Sequence, residues 1–245
     1  IGELKVSSHF IALYKKDIKR YFSSPLYVLN TGFGVVFLTF GTLGSLLMGF
    51  DKMGAMLEIP LFADFINNLA PLIISFVVIM SCTSSCSISI EGNNLWILKT
   101  LPVNIKTIFL SKAAVNLTLL VPAIIFNCTL FTSMLKLNLI NIIFLYLTPL
   151  NFALFISITG IMVNLKFPKM KWITEQAVIK QSVSVLIAMA IGFISVGLPI
   201  FLLTKIPEIN KILIIFITNI IILLLNLIII KLLNSWGIKK FLNLE

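Results

Sequence analysis

The residues able to do chemistry are few and scattered. The chain carries nine acidic residues and one histidine, His9. No two acids form a convincing general acid–base pair, and a single histidine excludes a histidine-rich metal centre and makes a Ser-His dyad within apolar runs implausible. Cys82 and Cys86 stand four apart, a spacing that puts two thiols on one helix face. Small apolar packing explains such thiols better than a metal pair, and no metal site is expected. There is no GxxxxGK[ST] phosphate loop. Glu91 alone has a conspicuous neighbourhood, at the end of an apolar run, where a surface charge at a helix end accounts for it equally well. The reading is of a chain that is not an enzyme.

Two sets of polar residues lie inside apolar runs. The first is the small-residue string Ser81, Thr83, Ser84, Ser85, Ser87 and Ser89. Hydroxyls in a membrane helix usually bond back to their own backbone. The alternative is a polar wall on a conduit. The second set is the pairs Asn116/Asn127 and Asn219/Asn226, each spaced to return near one helix face. Buried amides in lipid usually bond between helices. Ser81, Ser84, Ser85, Asn219 and Asn226 are the candidates for a translocation path. Gly41, Ser45 and Gly49 recur every four residues and form a candidate face for close helix packing, either within the chain or at a dimer seam.

The elements that position these residues follow from composition. The chain has 245 residues, 59% hydrophobic and 11% charged. Its mean hydropathy is +1.09. A soluble domain carries about 25% charged residues. Six apolar runs are long enough to span a bilayer as helix: Val28–Phe50, Phe65–Ile88, Ala113–Leu135, Leu139–Val163, Ser182–Thr204 and Ile212–Leu233. They are continuous rather than alternating, which favours a helical bundle over a barrel. The expected fold is all-α, a polytopic six-span membrane protein. Residues 1–27 form a cytoplasmic entry segment and 28–245 the transmembrane domain.

Charge sets the orientation. With the N-terminus inside, every one of the 19 Lys and Arg residues except Lys52, Lys136, Lys205 and Lys211 falls on the inner side. Both termini and the 89–112 loop are then cytoplasmic. The net charge of +10 reflects this topology and anionic membrane lipids; no exposed basic domain points to nucleic acid. No ionisable residue lies near the middle of a span, so the energy for any transport enters from elsewhere. His9–Phe22 places Phe10, Leu13, Tyr14, Ile18, Tyr21 and Phe22 at helical spacing with Lys15, Lys16, Lys19 and Arg20 between them. That suits an amphipathic helix in the headgroup plane, ended by Pro25. The outer loop Asp51–Asp64 is acidic, includes Pro60 and is too short for a substrate-binding domain. A start at Ile1 reads as a fragment or a processed piece.

The loop after the second span is the best clue to function. Leu95, Leu98 and Leu101 fall at i, i+3 and i+6, widened by Trp96 and Ile97, with Asn93, Asn94 and Lys99 on the polar side. Pro102 breaks this helix and Asn104 can cap the next. A short helix lying on the membrane offers a partner apolar anchors on a rigid mount. A plain surface connector is the alternative.

Ser89-Ile-Glu91-Gly92, then Leu98-Lys-Thr-Leu101-Pro102-Val103, then Lys112, resembles the loop between the second and third spans of type-2 ABC exporter permeases. Lys19–Thr31 is similar to the entry to the first span in a bacterial branch with fused permease halves, where it belongs to the second half. Beyond these two stretches the likeness is only in hydropathy. The resemblance implies the C-terminal six-span half of a permease in a bacterial plasma membrane. It implies that Glu91, Gly92, Leu95, Leu98, Leu101 and Pro102 couple to a cytoplasmic P-loop ATPase. ATP and Mg would sit on that partner, with no cofactor bound here directly. A second six-span unit, as a homodimer or a fused half, would complete the path. The family's longer outer loop between spans five and six is short here, at Ile206–Lys211. The substrate is not specified. The reading from another class is a non-transporting scaffold or sensor partner.

Overall fold

The computed structural model describes residues 8–56, 58, 62–135, 137–205 and 210–244; of Asp51 and residues 62–65 only the backbone is described. Lys5, Lys136, Pro60 and most of the Ile206–Lys211 loop fall outside these. The described residues are helical and contain no strand. Helix α1 covers His9–Ser23, α2 Pro25–Met48, α3 Phe50–Met56 and α4 Phe62–Met80. A short α5, Leu95–Thr100, precedes α6, Ile105–Met134, and α7, Leu139–Lys166. Then come α8 at Glu175–Ile179, α9 at Val183–Lys205, α10 at Lys211–Leu232 and α11 at Ile238–Leu242. Six helical stretches are long and apolar enough to cross a membrane, as expected of a multi-pass membrane protein.

Local signals set the ends. Ser24 accepts from the Tyr27 amide and Pro25 opens α2, where its missing N–H costs nothing. Asn104 accepts from the Lys106 amide at 2.9 Å and starts α6, while α5 has stopped at Thr100, just before Leu101 and Pro102. Helix α7 is the central pillar. Ile156, Ile161 and Phe152 on it are fully buried. Around it α4, α6, α9 and α10 pack their apolar faces.

The second span departs from expectation. A helix through Ile88 was expected, but the α-helix ends at Met80. The chain continues through tight 3₁₀ turns at Ser84–Cys86 and Ser89–Asn94, all packed inside protein up to Gly92. Irregular backbone is tolerated at such a place only when its polar groups find partners within the protein. Cys82 and Cys86 therefore do not share a helix face. Cys82 Sγ lies 3.3 Å from Ser84 Oγ, and Cys86 donates to the Thr83 carbonyl.

Within the chain, close packing falls at glycines other than Gly41 and Gly49. Ser45 is buried against Met134, but Gly41 is exposed with nothing near its Cβ direction, and Gly49 caps α2 at φ 78°. One tight approach is at Gly160 of α7, where an added Cβ would lie 2.3 Å from Ser84 Oγ and 2.9 Å from the Ser85 amide nitrogen. Gly160→Ala should therefore destabilise the protein by about 1–3 kcal/mol through overpacking. Gly41→Ala should be neutral or slightly stabilising. Loss of monodisperse protein on heating in detergent reads both, and equal behaviour of the two variants would contradict the assignment.

Candidate functional site

The Ser89–Asn104 loop is held by ionic, amide and apolar contacts. The first centres on Glu91, which is 5% exposed. Its Oε1 accepts from Lys112 Nζ and Lys16 Nζ, each at 2.8 Å, and its Oε2 from Arg20 Nη1 at 3.2 Å. Lys112 is 2% exposed; it also donates to the Ser87 carbonyl at 2.8 Å and lies 3.4 Å from Asp17. Arg20 Nη2 donates to the Ile90 carbonyl. Three cations and two carboxylates thus join α1, α6 and the loop. A buried pair of this kind is strongly coupled, because removing one partner strands the other charge away from water.

The cluster revises the amphipathic reading of α1. Lys16 and Arg20, i and i+4 on the helix, reach Glu91, and Asp17 faces Lys112 and Lys16; Lys16 stays exposed along much of its length, as do Lys15 and Lys19. Leu13 and Tyr21 are buried, and Tyr14 donates to Thr118 on α6. Much of the apolar face of α1 is thus spent on the bundle, while Phe10, Ile11 and Phe22 stay exposed.

The second set of contacts comes from amides. Asn164 near the end of α7 accepts from the Ile88 and Ser89 amides at 2.8 and 3.0 Å, and donates to Ser89 Oγ at 2.7 Å and Ser184 Oγ. Asn116 of α6 accepts from the amide and hydroxyl of Thr83 and donates to Ser157 at 2.8 Å. These two side chains replace the hydrogen bonds that the unwound backbone lacks. Gly92 sits at φ 53°, ψ −132°, a conformation closed to L side chains, and an added Cβ would lie 2.9 Å from Trp172 Nε1. Trp172 donates to the Ser89 carbonyl at 2.8 Å, so the loop after α7 clasps this turn.

The third set holds α5. Leu95 and Leu98 point into an apolar cluster with Ile108, Phe109, Ile161 and Phe241. Lys99 Nζ donates to the carbonyls of Leu242, at 3.1 Å, and Leu244 at the chain's end. Two of the three leucines expected to meet a partner, Leu95 and Leu98, are therefore internal. Of the six residues assigned to coupling, Glu91, Gly92, Leu95 and Leu98 are buried, and Leu101 and Pro102 are exposed. The outward face of α5 is Trp96 and Ile97, 62% and 43% exposed.

The candidate path residues fall on two separate seams. Ser84 and Ser85 are fully buried, Ser85 bonding back to the Cys82 carbonyl and Ser84 to the Ile156 carbonyl; the Ser81 hydroxyl is buried without a partner among the described residues. Asn219 donates to Thr148 Oγ1 at 2.9 Å, and Asn226 to Asn151 Oδ1 at 2.8 Å, along the α7–α10 contact. At the end of the bundle away from α5, that contact opens into a cleft of about 380 Å³ flanked by Asn67, Asn68, Asn141 and Asn210.

Sequence reasoning missed Asp17, Asn164 and Trp172. Lys112 was visible as a lysine at a span boundary, a position that calls for a partner. No protein-family model, curated protein or solved structure matches the chain.

Glu91→Gln should cost about 3 kcal/mol of stability by leaving Lys112 buried and under-compensated. Lys15→Gln, on the exposed side of α1, should cost less than about 0.5 kcal/mol. Thermal unfolding of the two variants in one detergent measures the difference; matching losses would mean the cluster is not a stabilising anchor.

Proposed function

We propose that this chain is the transmembrane permease subunit, or half, of an ATP-driven exporter in a bacterial plasma membrane. Its N- and C-termini and the α5 loop face the cytoplasm, on the side favoured by the lysine distribution. A separate P-loop ATPase binds ATP and Mg, and a second six-span unit, a second copy or a fused half, encloses the path. The observation that carries the reading is the mounting of α5. Two apolar side chains, Trp96 and Ile97, stand outward on a six-residue helix whose other side is fixed to α6, α7, α11 and, through Glu91, to α1. A rigid mount transmits a push; a loose loop would absorb it. An exposed Trp beside an aliphatic residue is the composition of an interface anchor.

In this mechanism ATPase closure presses on α5. The ion cluster around buried Glu91 and Lys112 passes the displacement to α1 and α6, and the clasp of Asn164 and Trp172 passes it to α7. Substrate would follow the amide-lined α7–α10 seam from or toward the distal cleft. Helix α1, with Phe10, Ile11, Phe22, Lys15 and Lys19 still exposed, lies in the headgroup plane.

The test is purification of the full chain from native membranes in mild detergent, with mass spectrometry of what accompanies it. A stoichiometric P-loop ATPase, lost in the Trp96→Asp/Ile97→Asp variant while Trp96→Phe retains it, is the expected result. An intact complex without an ATPase would favour the scaffold or sensor class instead. An ATPase that stays bound to the double variant would remove α5 as its docking point.

A further inference from the structure

A groove of about 180 Å³ opens between α6 and α10 at the α5 end of the bundle. Its floor is α7, through Ile158 and Ile161, and its walls include Leu110 and Ala113 of α6 and Ile230 of α10. At its mouth stand Lys106, in the first turn of α6, and Asn234. Both are exposed, and Lys106 has no ion-pair partner among the described residues. Asn234 reaches this position because the chain widens into a π-helical turn at Leu233–Gly237, a distortion frequent at functional sites.

We infer that this groove binds one anionic phospholipid of the leaflet on the α5 side, its phosphate on Lys106 and Asn234 and an acyl chain along the exposed Leu110 and Ile230.

Depth supports the assignment. From Lys106 to Ala113 the helix rises about 10 Å, the distance from a headgroup into the upper acyl region. The groove's chemistry changes along that line from an ammonium and an amide to aliphatic carbon only. A second copy of this chain would lay side chains over the opening rather than seat within it. Charge then selects among lipids, since a basic residue at the membrane surface favours anionic headgroups. The site also has a route to the loop. Phe109 and Leu233 line the groove and belong to the same apolar cluster that seats Leu98 of α5. The inference needs only the six-span membrane fold and stands apart from the exporter reading.

Native mass spectrometry of the full chain, delipidated and then given phosphatidylglycerol or phosphatidylcholine of equal acyl length, tests it. One phosphatidylglycerol should be retained in preference to phosphatidylcholine by about fivefold, the factor one basic residue supplies. Lys106→Gln should abolish that preference, and Ala113→Phe, which fills the groove, should remove the retained lipid. Lys180→Gln, at a different surface cleft, should change neither. Equal retention of the two lipids overturns the inference. So does a preference that survives Lys106→Gln, an exposed position whose replacement leaves the fold intact. A groove variant that instead shifts the monomer–dimer balance with no change in lipid would assign the surface to a second copy.

Discussion

The loop end of this bundle depends on one constraint: Lys112 is buried about two turns inside α6, and its charge must be met. Glu91 meets it at 2.8 Å and Asp17 at 3.4 Å. Once Glu91 is drawn inward, Gly92 has to turn back at a positive φ, and α5 is placed over the apolar cluster under Leu95 and Leu98. The same carboxylate takes Lys16 and Arg20, so α1 is tied to the loop rather than free on the surface. Burying Glu91 and Lys112 is costly, and a pair of aliphatic side chains would hold as well or better. What the ionic arrangement adds is direction, since only one register of α1, loop and α6 satisfies all five.

The unwound segment between Met80 and α5 has the same logic. A helix continuing to Ile88 would need no outside partners. Here the backbone leaves the helix early, and Asn116 and Asn164 supply the lost hydrogen bonds from α6 and α7. Gly160 gives this segment room to lie against α7. The loop is therefore connected to the helices at several depths, and force applied to α5 has contiguous packed routes into α1, α6 and α7.

Much of the fold was legible because lipid leaves few choices. Runs of about twenty apolar residues must be helices, and six such runs appear. Pro25, Pro102 and Asn104 marked helix ends by chemistry that acts locally. The site was legible only in part. Glu91 and Gly92 stood out, but the partners of Glu91 lie 21 to 75 residues away, and sequence spacing carries no such information. The Leu95–Leu98–Leu101 periodicity correctly marked an apolar face. Its direction was open, since a surface helix presents the same pattern whether that face meets its own bundle or a partner. Ser81–Ser89 read as helix because hydroxyl residues are compatible with one; the departure is dictated by Asn116, Asn164 and Gly160 on other helices. Gly41, Ser45 and Gly49 had the spacing of a packing face; within the chain only Ser45 meets a neighbour, Met134, and spacing alone does not say which helix covers the rest.

The most direct measurement of the central claim is a double-mutant cycle at Glu91 and Lys112, using Glu91→Gln, Lys112→Met and the pair, with unfolding free energies in one detergent. If the buried pair anchors the loop, the double variant loses far less than the sum of the single losses, with a coupling above about 1.5 kcal/mol. Losses that add to within about 0.5 kcal/mol would show that the two groups act independently, and the anchoring account would fail.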